Sequence, residues 1–279
     1  MSRARTYVVG NFKGGVGKST TVQMVSFENS QRRKRKTLVI DFDPQGNTSD
    51  VLRLTSDNFG YDAPEDFDNT IWEVLNGEPL DNAIYNILPN LDLIPANIAF
   101  SDFPDFLIAK YPNDKMAQMN YVKEILEPLR EVYDDIYIDV PPTVSIYSNA
   151  AMYFCEFVII ILQTQAKSLK GAQTYIEYMK LFIEQYETDL DVIGIIPFMM
   201  QKRDLIDMEI YEVAKEMYGD HLLNTVVLSQ SRLKRYDGAG ITYEVNKNGK
   251  VDQWDIKAHE VFIDILDELD EHLEALGYI

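Results

Sequence analysis

Eight consecutive residues near the start of the chain, Lys13-Gly14-Gly15-Val16-Gly17-Lys18-Ser19-Thr20, have the types and spacing that bind a polyphosphate. Glycines let the backbone curl so that its N–H groups point inward and no side chain blocks an anion. A helix beginning near Lys18 would add its N-terminal dipole at the same point. Lys18 would set its ammonium between β- and γ-phosphates, Ser19 would complete a magnesium shell, and Thr20 would donate to the α-phosphate. The strict pattern G-x-x-x-x-G-K-[ST] fails, because its first position falls on Phe12, and a second lysine, Lys13, stands inside the loop. The competing reading is a tight glycine turn with Lys13 in solvent. It loses to the context, since an apolar run precedes the loop and a helix follows it.

Two later carboxylate sites fit the same chemistry. The run Thr37–Asp41 leads into Asp41-Phe42-Asp43-Pro44-Gln45-Gly46-Asn47, and Ile136–Val140 carries Asp139 just before Pro141-Pro142. Acids at the C-terminal ends of parallel strands surround the ligand in nucleotide folds. Asp139 would hold a water on the magnesium, and Asp43 would orient an attacking water. Each taken alone is more usually a turn or helix-cap aspartate; their combination with the loop favours function.

Such residues need a parallel sheet to position them. Tyr7–Gly10, Thr37–Asp41, Leu91–Pro95, Ile136–Val140, Phe157–Gln163, Val192–Phe198 and Thr225–Leu228 are expected strands, several without the polar alternation of a half-exposed sheet. Helical spacing is expected over Ser168–Tyr186, Asn120–Val132, Leu205–Tyr218 and Lys257–Leu276, and residues 55–70 read as an acidic surface loop. Strand–helix alternation predicts an α/β fold, a mainly parallel twisted sheet with helices on both faces, and the phosphate loop between strand and helix makes it one of P-loop NTPase type. With no linker or repeat in view, residues 1–279 are expected to form a single domain. Nothing precedes the first strand, so we expect no DNA-binding domain ahead of it.

Composition narrows the partners. The 279 residues hold 45 Asp and Glu against 26 Lys and Arg, a net charge of −19. A uniformly acidic surface repels nucleic acid and anionic membrane alike, so binding to either would need a local basic cluster. One cysteine, Cys155, excludes an internal disulfide and suits a reducing cytoplasm. No apolar stretch is long enough to span a bilayer, and the N-terminal residues are too few for a signal-peptide core.

The segments Lys13–Thr20, Asp41–Asn47 and Asp139–Pro142 together resemble the ParA/MinD family of deviant Walker A ATPases, closest to the small ParA partition ATPases. Gln163–Ala172, Gly194–Arg203 and Leu228–Ile241 extend the resemblance in family order across nearly the whole chain. It implies a cytoplasmic, nucleoid-associated ATPase that binds ATP/ADP with Mg2+ and forms a homodimer with ATP. Lys13 would reach the partner's phosphates, so that dimerisation and ATP binding become one equilibrium. Further implied partners are non-specific DNA and a centromere-binding ParB-like protein that stimulates hydrolysis. The adenine base would lie near the end of Val192–Phe198, with Phe198 and Met199 as its expected contacts. Many relatives carry I-P-R-x-V-R-L-S; here Leu222–Ser229 lacks both arginines, and Arg232, Lys234 and Arg235 follow just downstream as the expected DNA contacts. For the run Arg32–Lys36 we favour a solvated helix C-terminus over DNA contact.

A MinD-like membrane switch would need a basic C-terminal helix. Here the polar face is Asp264, Asp267, Glu268, Asp270, Glu271 and Glu274, so no membrane partner is expected. Iron–sulfur relatives need more cysteines than one. A small-molecule ATP-dependent ligase or synthetase of the same fold stays open as the alternative, distinguished by fast turnover with a metabolite.

Overall fold

The computed structural model describes residues 3–11, 14–164, 166–201, 204–245 and 247–279. The apolar runs become β1 (Arg5–Gly10), β2 (Thr37–Asp41), β3 (Tyr85–Leu88), β4 (Leu91–Ile94), β5 (Asp135–Asp139), β6 (Phe157–Gln163), β7 (Asp191–Met200) and β8 (Val227–Leu228). Between them lie α1 (Lys18–Gln31), α2 (Asn47–Asn58), α3 (Ile71–Leu75), α4 (Phe103–Lys110) and α5 (Lys115–Leu126). The second half adds α6 (Ile146–Phe154), α7 (Ala166–Tyr186), α8 (Leu205–Tyr218), α9 (Ser231–Ala239) and α10 (Gln253–Leu276).

The eight strands form one sheet in the order β3-β4-β2-β5-β1-β6-β7-β8. The β3–β4 hairpin is antiparallel; the other paired strands among the described residues run parallel. Parallel strands require crossover helices, which cover both faces and explain the near-continuous apolar runs. Along β5, Ile136 and Ile138 enter a core built with α4, α5, α6 and α7, while Tyr137 enters the opposite core with α1, α9 and α10. Each fully buried aliphatic side chain contributes roughly 1.5–3 kcal/mol against exposure.

Several boundaries differ from expectation. The hairpin strand β3 was not foreseen; Asn90, with a positive φ of 64°, makes its turn. The expected helix Asn120–Val132 instead starts at Lys115, capped by Asp114, and yields to a 3-10 turn over Glu127–Glu131, where Pro128 sits. The expected acidic loop begins later than residue 55, because α2 runs through Asn58. The C-terminal helix starts at Gln253 under an Asp252 cap.

One element shows no amphipathic stripe because it has no solvent face. From Thr20 to Ser30, α1 is buried throughout, packed between the sheet, α2 and α10. Several of its polar residues find partners inside the fold: Ser26 and Ser30 donate to the carbonyls of Gln23 and Phe27, and Asn29 donates to Asp135 at 2.8 Å.

Candidate functional site

The sheet places the C-terminal ends of β1, β2 and β5 side by side. After β1 the chain turns into α1 through Gly17, whose φ of 105° is left-handed. A Cβ there would lie 2.3 Å from the Phe198 ring, so both backbone and space demand glycine. Gln163 at the end of β6 donates to the Gly15 carbonyl at 3.1 Å, and Asn11 donates to the Ile161 carbonyl at 2.5 Å. The loop is thus tied to the neighbouring strand β6. Gly17 caps α1 without any side-chain hydrogen bond, which leaves the first helical N–H groups open to an anion.

Beside this opening two aspartates face each other in register, Asp41 on β2 and Asp139 on β5, both buried. Asp41 is a scaffold. It accepts the Ser49 amide at 2.9 Å, the Ser49 hydroxyl at 2.8 Å and the Asp43 amide at 3.1 Å, folding the segment 41–49 around itself. Asp139 is less well supplied. Thr48 donates to its Oδ2 at 2.6 Å, and Gln23 donates to Thr48 at 3.0 Å. Its Oδ1 is buried and has no hydrogen-bond partner among the described residues. Burial pushes the Asp139 carboxyl upward; Thr48, Ser19 and Lys18 pull the other way. Asp41 is raised by the same burial and by the charge of Asp139.

Lys18, nearly fully buried, is the cation of the site among the described residues. Burial lowers its pKa, and the nearby charges of Asp139 and Asp43 oppose that loss. Asp43 accepts the Gln45 amide at 3.0 Å, an Asx turn that fixes its carboxylate on the wall of the cleft. The cleft has a volume of about 540 Å³ and runs from Gly15–Thr20 past Asp43 to Asp237 on α9. An unpartnered carboxylate oxygen beside a serine hydroxyl is a hard-oxygen donor set that suits Mg2+ completed by ligand phosphates.

The structure brings together Gly14, Gly15, Val16, Gly17, Lys18, Ser19, Thr20, Asp43 and Asp139 of the expected site, with Val16 turned into the core. Lys13 lies outside the described residues, as does the Met199 side chain. Phe198 requires a correction. It is fully buried, with its ring against Gly17, so it supports the loop from beneath and does not present a face to a base. Arg232 also departs from expectation. It is buried and paired with Glu244 at 2.8 Å, Asp252 at 2.9 Å and Asp255 at 3.0 Å, so its charge is spent inside the protein. Arg235 pairs with Glu244, which leaves Lys234 as the exposed member of the expected trio without an ion pair among the described residues. The run Arg32–Lys36 is not simply solvated either. Arg33 pairs with Asp267 and Asp270 on α10, and Arg35 pairs with Asp135.

Sequence reasoning missed Gln23, Thr48, Ser49 and Asp237. Ser49 had a signal: it is a hydroxyl residue in the first turn after Gly46, eight residues from a strand-end acid. Asp237 had none, because only the tertiary docking of α9 brings it to the cleft.

A parallel sheet, a glycine loop opening a buried helix, and paired strand-end aspartates define a P-loop nucleoside triphosphatase of α/β class. A family model described as an AAA domain matches residues 4–192. The chromosome-partitioning ATPase Soj of Treponema pallidum is 29% identical over 85% of this chain and 88% of its own length. Among solved structures, apo McdA from Cyanothece has a TM-score of 0.76 at 22% identity, covering 98% of this chain and 100% of that one. A Borrelia burgdorferi protein assigned to plasmid partition and bound to AMPPNP has a TM-score of 0.73 at 22% identity, covering 95% and 98%. The chain belongs to this AAA-domain family, as a ParA/Soj-type partition ATPase with a deviant Walker A loop.

Proposed function

We propose that this ATPase is the dimeric switch of a DNA partition system: it closes as a homodimer on ATP, associates with DNA non-specifically, and is released when a centromere-binding partner stimulates hydrolysis. The observation that carries the reading is the orphaned Asp139 oxygen beside Ser19, at the foot of an open helix N-terminus. Such a cleft is prepared for a metal-bound triphosphate.

In this reading Lys18 and the open amides of α1 hold β- and γ-phosphate oxygens, and the rigid α1 costs no reorganisation as charge develops. Ser19 and Asp139 would hold Mg2+, which would supply positive charge to the phosphates. Asp43, fixed by its own turn at the cleft wall, aligns the water for in-line attack. Lys13 of one copy reaches the phosphates of the other, which makes closure of the dimer part of the ATP equilibrium. DNA contact rests on Lys234 and Arg235, brought together from two copies, since Arg232 is consumed within the fold. We place the protein in the cytoplasm on the nucleoid; no helix among the described residues is long and apolar enough to cross a membrane.

Phosphate release should be slow for the protein alone and rise when DNA and the centromere-binding partner are both present. Sedimentation with Mg-ATP should show a dimer that Lys13→Ala loses. Rapid turnover on a metabolite, with no association to DNA, would instead favour a small-molecule ligase.

A further inference from the structure

Helix α9 closes one end of the phosphate cleft. Its Asp237 lines the cleft wall together with Gly15, Lys18 and Ser19, and the Thr20 hydroxyl donates to Asp237 Oδ1 at 3.4 Å. Thr20 is itself buried whereas Asp237 is exposed, so the carboxylate reaches the hydroxyl from the rim of the cleft. A hydroxyl has one proton to donate. If Thr20 serves an α-phosphate, as the end of a phosphate loop does, it cannot serve Asp237 as well. Both acceptors are anionic, and Asp237 forms no ion pair among the described residues to screen one from the other.

Nor is α9 loosely attached. Gly240, just past its end, has a φ of 77°, and a Cβ there would stand 2.6 Å from the backbone of Leu54 and Thr55 on α2. Asn58 donates to the carbonyls of Ala239 at 2.7 Å and Ile241 at 3.2 Å, while the Ile241 amide donates to Thr55 at 2.9 Å. The opposite end of α2 carries Thr48 and Ser49, the residues that hold Asp139 and Asp41. One helix therefore joins the base of α9 to the acid pair of the site.

We propose that Asp237 is an internal competitor of nucleotide: without ligand its carboxylate occupies the Thr20 hydroxyl, and an incoming phosphate must displace it. The displacement moves α9, and with it the exposed Lys234 and Arg235 on the same helix, so occupancy of the cleft is read at the surface. This rests on the nucleotide reading above and adds a regulatory residue to it. Desolvation raises the Asp237 carboxyl, and the Thr20 bond partly opposes that shift.

The test is calorimetric titration of Mg-ADP and Mg-ATP into the wild-type protein, Asp237→Asn and Asp237→Ala. Removal of one like charge a few ångströms from a phosphate should tighten binding roughly three- to tenfold in both variants, and less so in high salt. Amide exchange over residues 231–241 should change on nucleotide addition in the wild type, and much less in Asp237→Ala. Unchanged affinity would overturn the inference. So would weaker binding in the variants together with a wild-type preference for ATP over 2′-deoxy-ATP, which would make Asp237 a sugar ligand. Failure of the wild type to bind any nucleotide would overturn the nucleotide reading as well, whereas normal wild-type binding with indifferent variants removes this inference alone.

Discussion

The two ends of β5 carry aspartates four residues apart with opposite fates. Asp135, at the start of the strand, is buried and surrounded by donors: Arg5 at 2.8 Å, Asn29 at 2.8 Å, Tyr7 at 3.3 Å, and Arg35. Burial would raise its pKa, but Arg5 and Arg35 hold it below the usual carboxylate range. Asp139, at the strand's end, is as deeply buried, yet it has Thr48, one orphaned oxygen and a second carboxylate in register. Its pKa is raised. The first aspartate stitches together the N-terminal edge of the sheet; the second leaves the C-terminal edge with unbalanced charge that a bound cation would relieve. Both sites obey the same electrostatics, and the number of donors distinguishes a satisfied carboxylate from one with an acceptor to spare.

Asp135→Ala should have the largest effect on stability, because it removes the buried acceptor shared by half-buried Arg35, the buried Asn29 amide and Arg5, which keeps only its second partner Asp270. A loss of about 3–5 kcal/mol is expected in urea unfolding; a loss under about 1 kcal/mol would erase the contrast between the two ends. Asp139→Asn should act in the opposite direction, raising the stability of the ligand-free protein by about 0.5–2 kcal/mol while harming activity. The sign follows from proton linkage. The folded carboxyls of the Asp41–Asp139 pair bind protons more tightly than the unfolded ones, so their contribution is complete at low pH. It is lost as pH rises from near 4 toward about 8, the raised value of Asp41. Asp139→Asn should flatten this decline in thermal midpoint; a variant with the same slope as wild type would show that the pair does not titrate. The smallest effect should come from Lys234→Glu, which changes stability by less than about 0.5 kcal/mol. Each phosphate contact it removes should lower the salt slope of DNA binding by about one, and an unchanged slope would locate the DNA surface elsewhere.

The parts of the molecule written in local pattern were legible. The strand runs, the glycine loop, and the acids at Asp43 and Asp139 depend on residue type and near neighbours, and the parallel sheet follows from them. What remained hidden depends on contacts across the fold. The helix α1 carries no stripe because it is covered on every side. Arg232, Lys234 and Arg235 look like a basic cluster in one dimension, yet Asp252, Asp255 and Glu244 arrive from a later segment and neutralise Arg232. Phe198 looks available at the end of a strand, but its side chain points under Gly17. Asp135 and Asp139 are both strand-terminal acids by sequence, and only the arginines contributed by β1 and the turn after α1 tell them apart.

The most direct test is the affinity of the purified protein for ATP, measured by calorimetry with and without Mg2+, in the wild type and in Asp139→Asn. Binding should be strongly enhanced by Mg2+ in the wild type, and the enhancement reduced about 10–100-fold by the substitution. Binding of equal strength with and without the cation, or a variant whose Mg2+ dependence matches the wild type, would contradict a cation-holding role for Asp139.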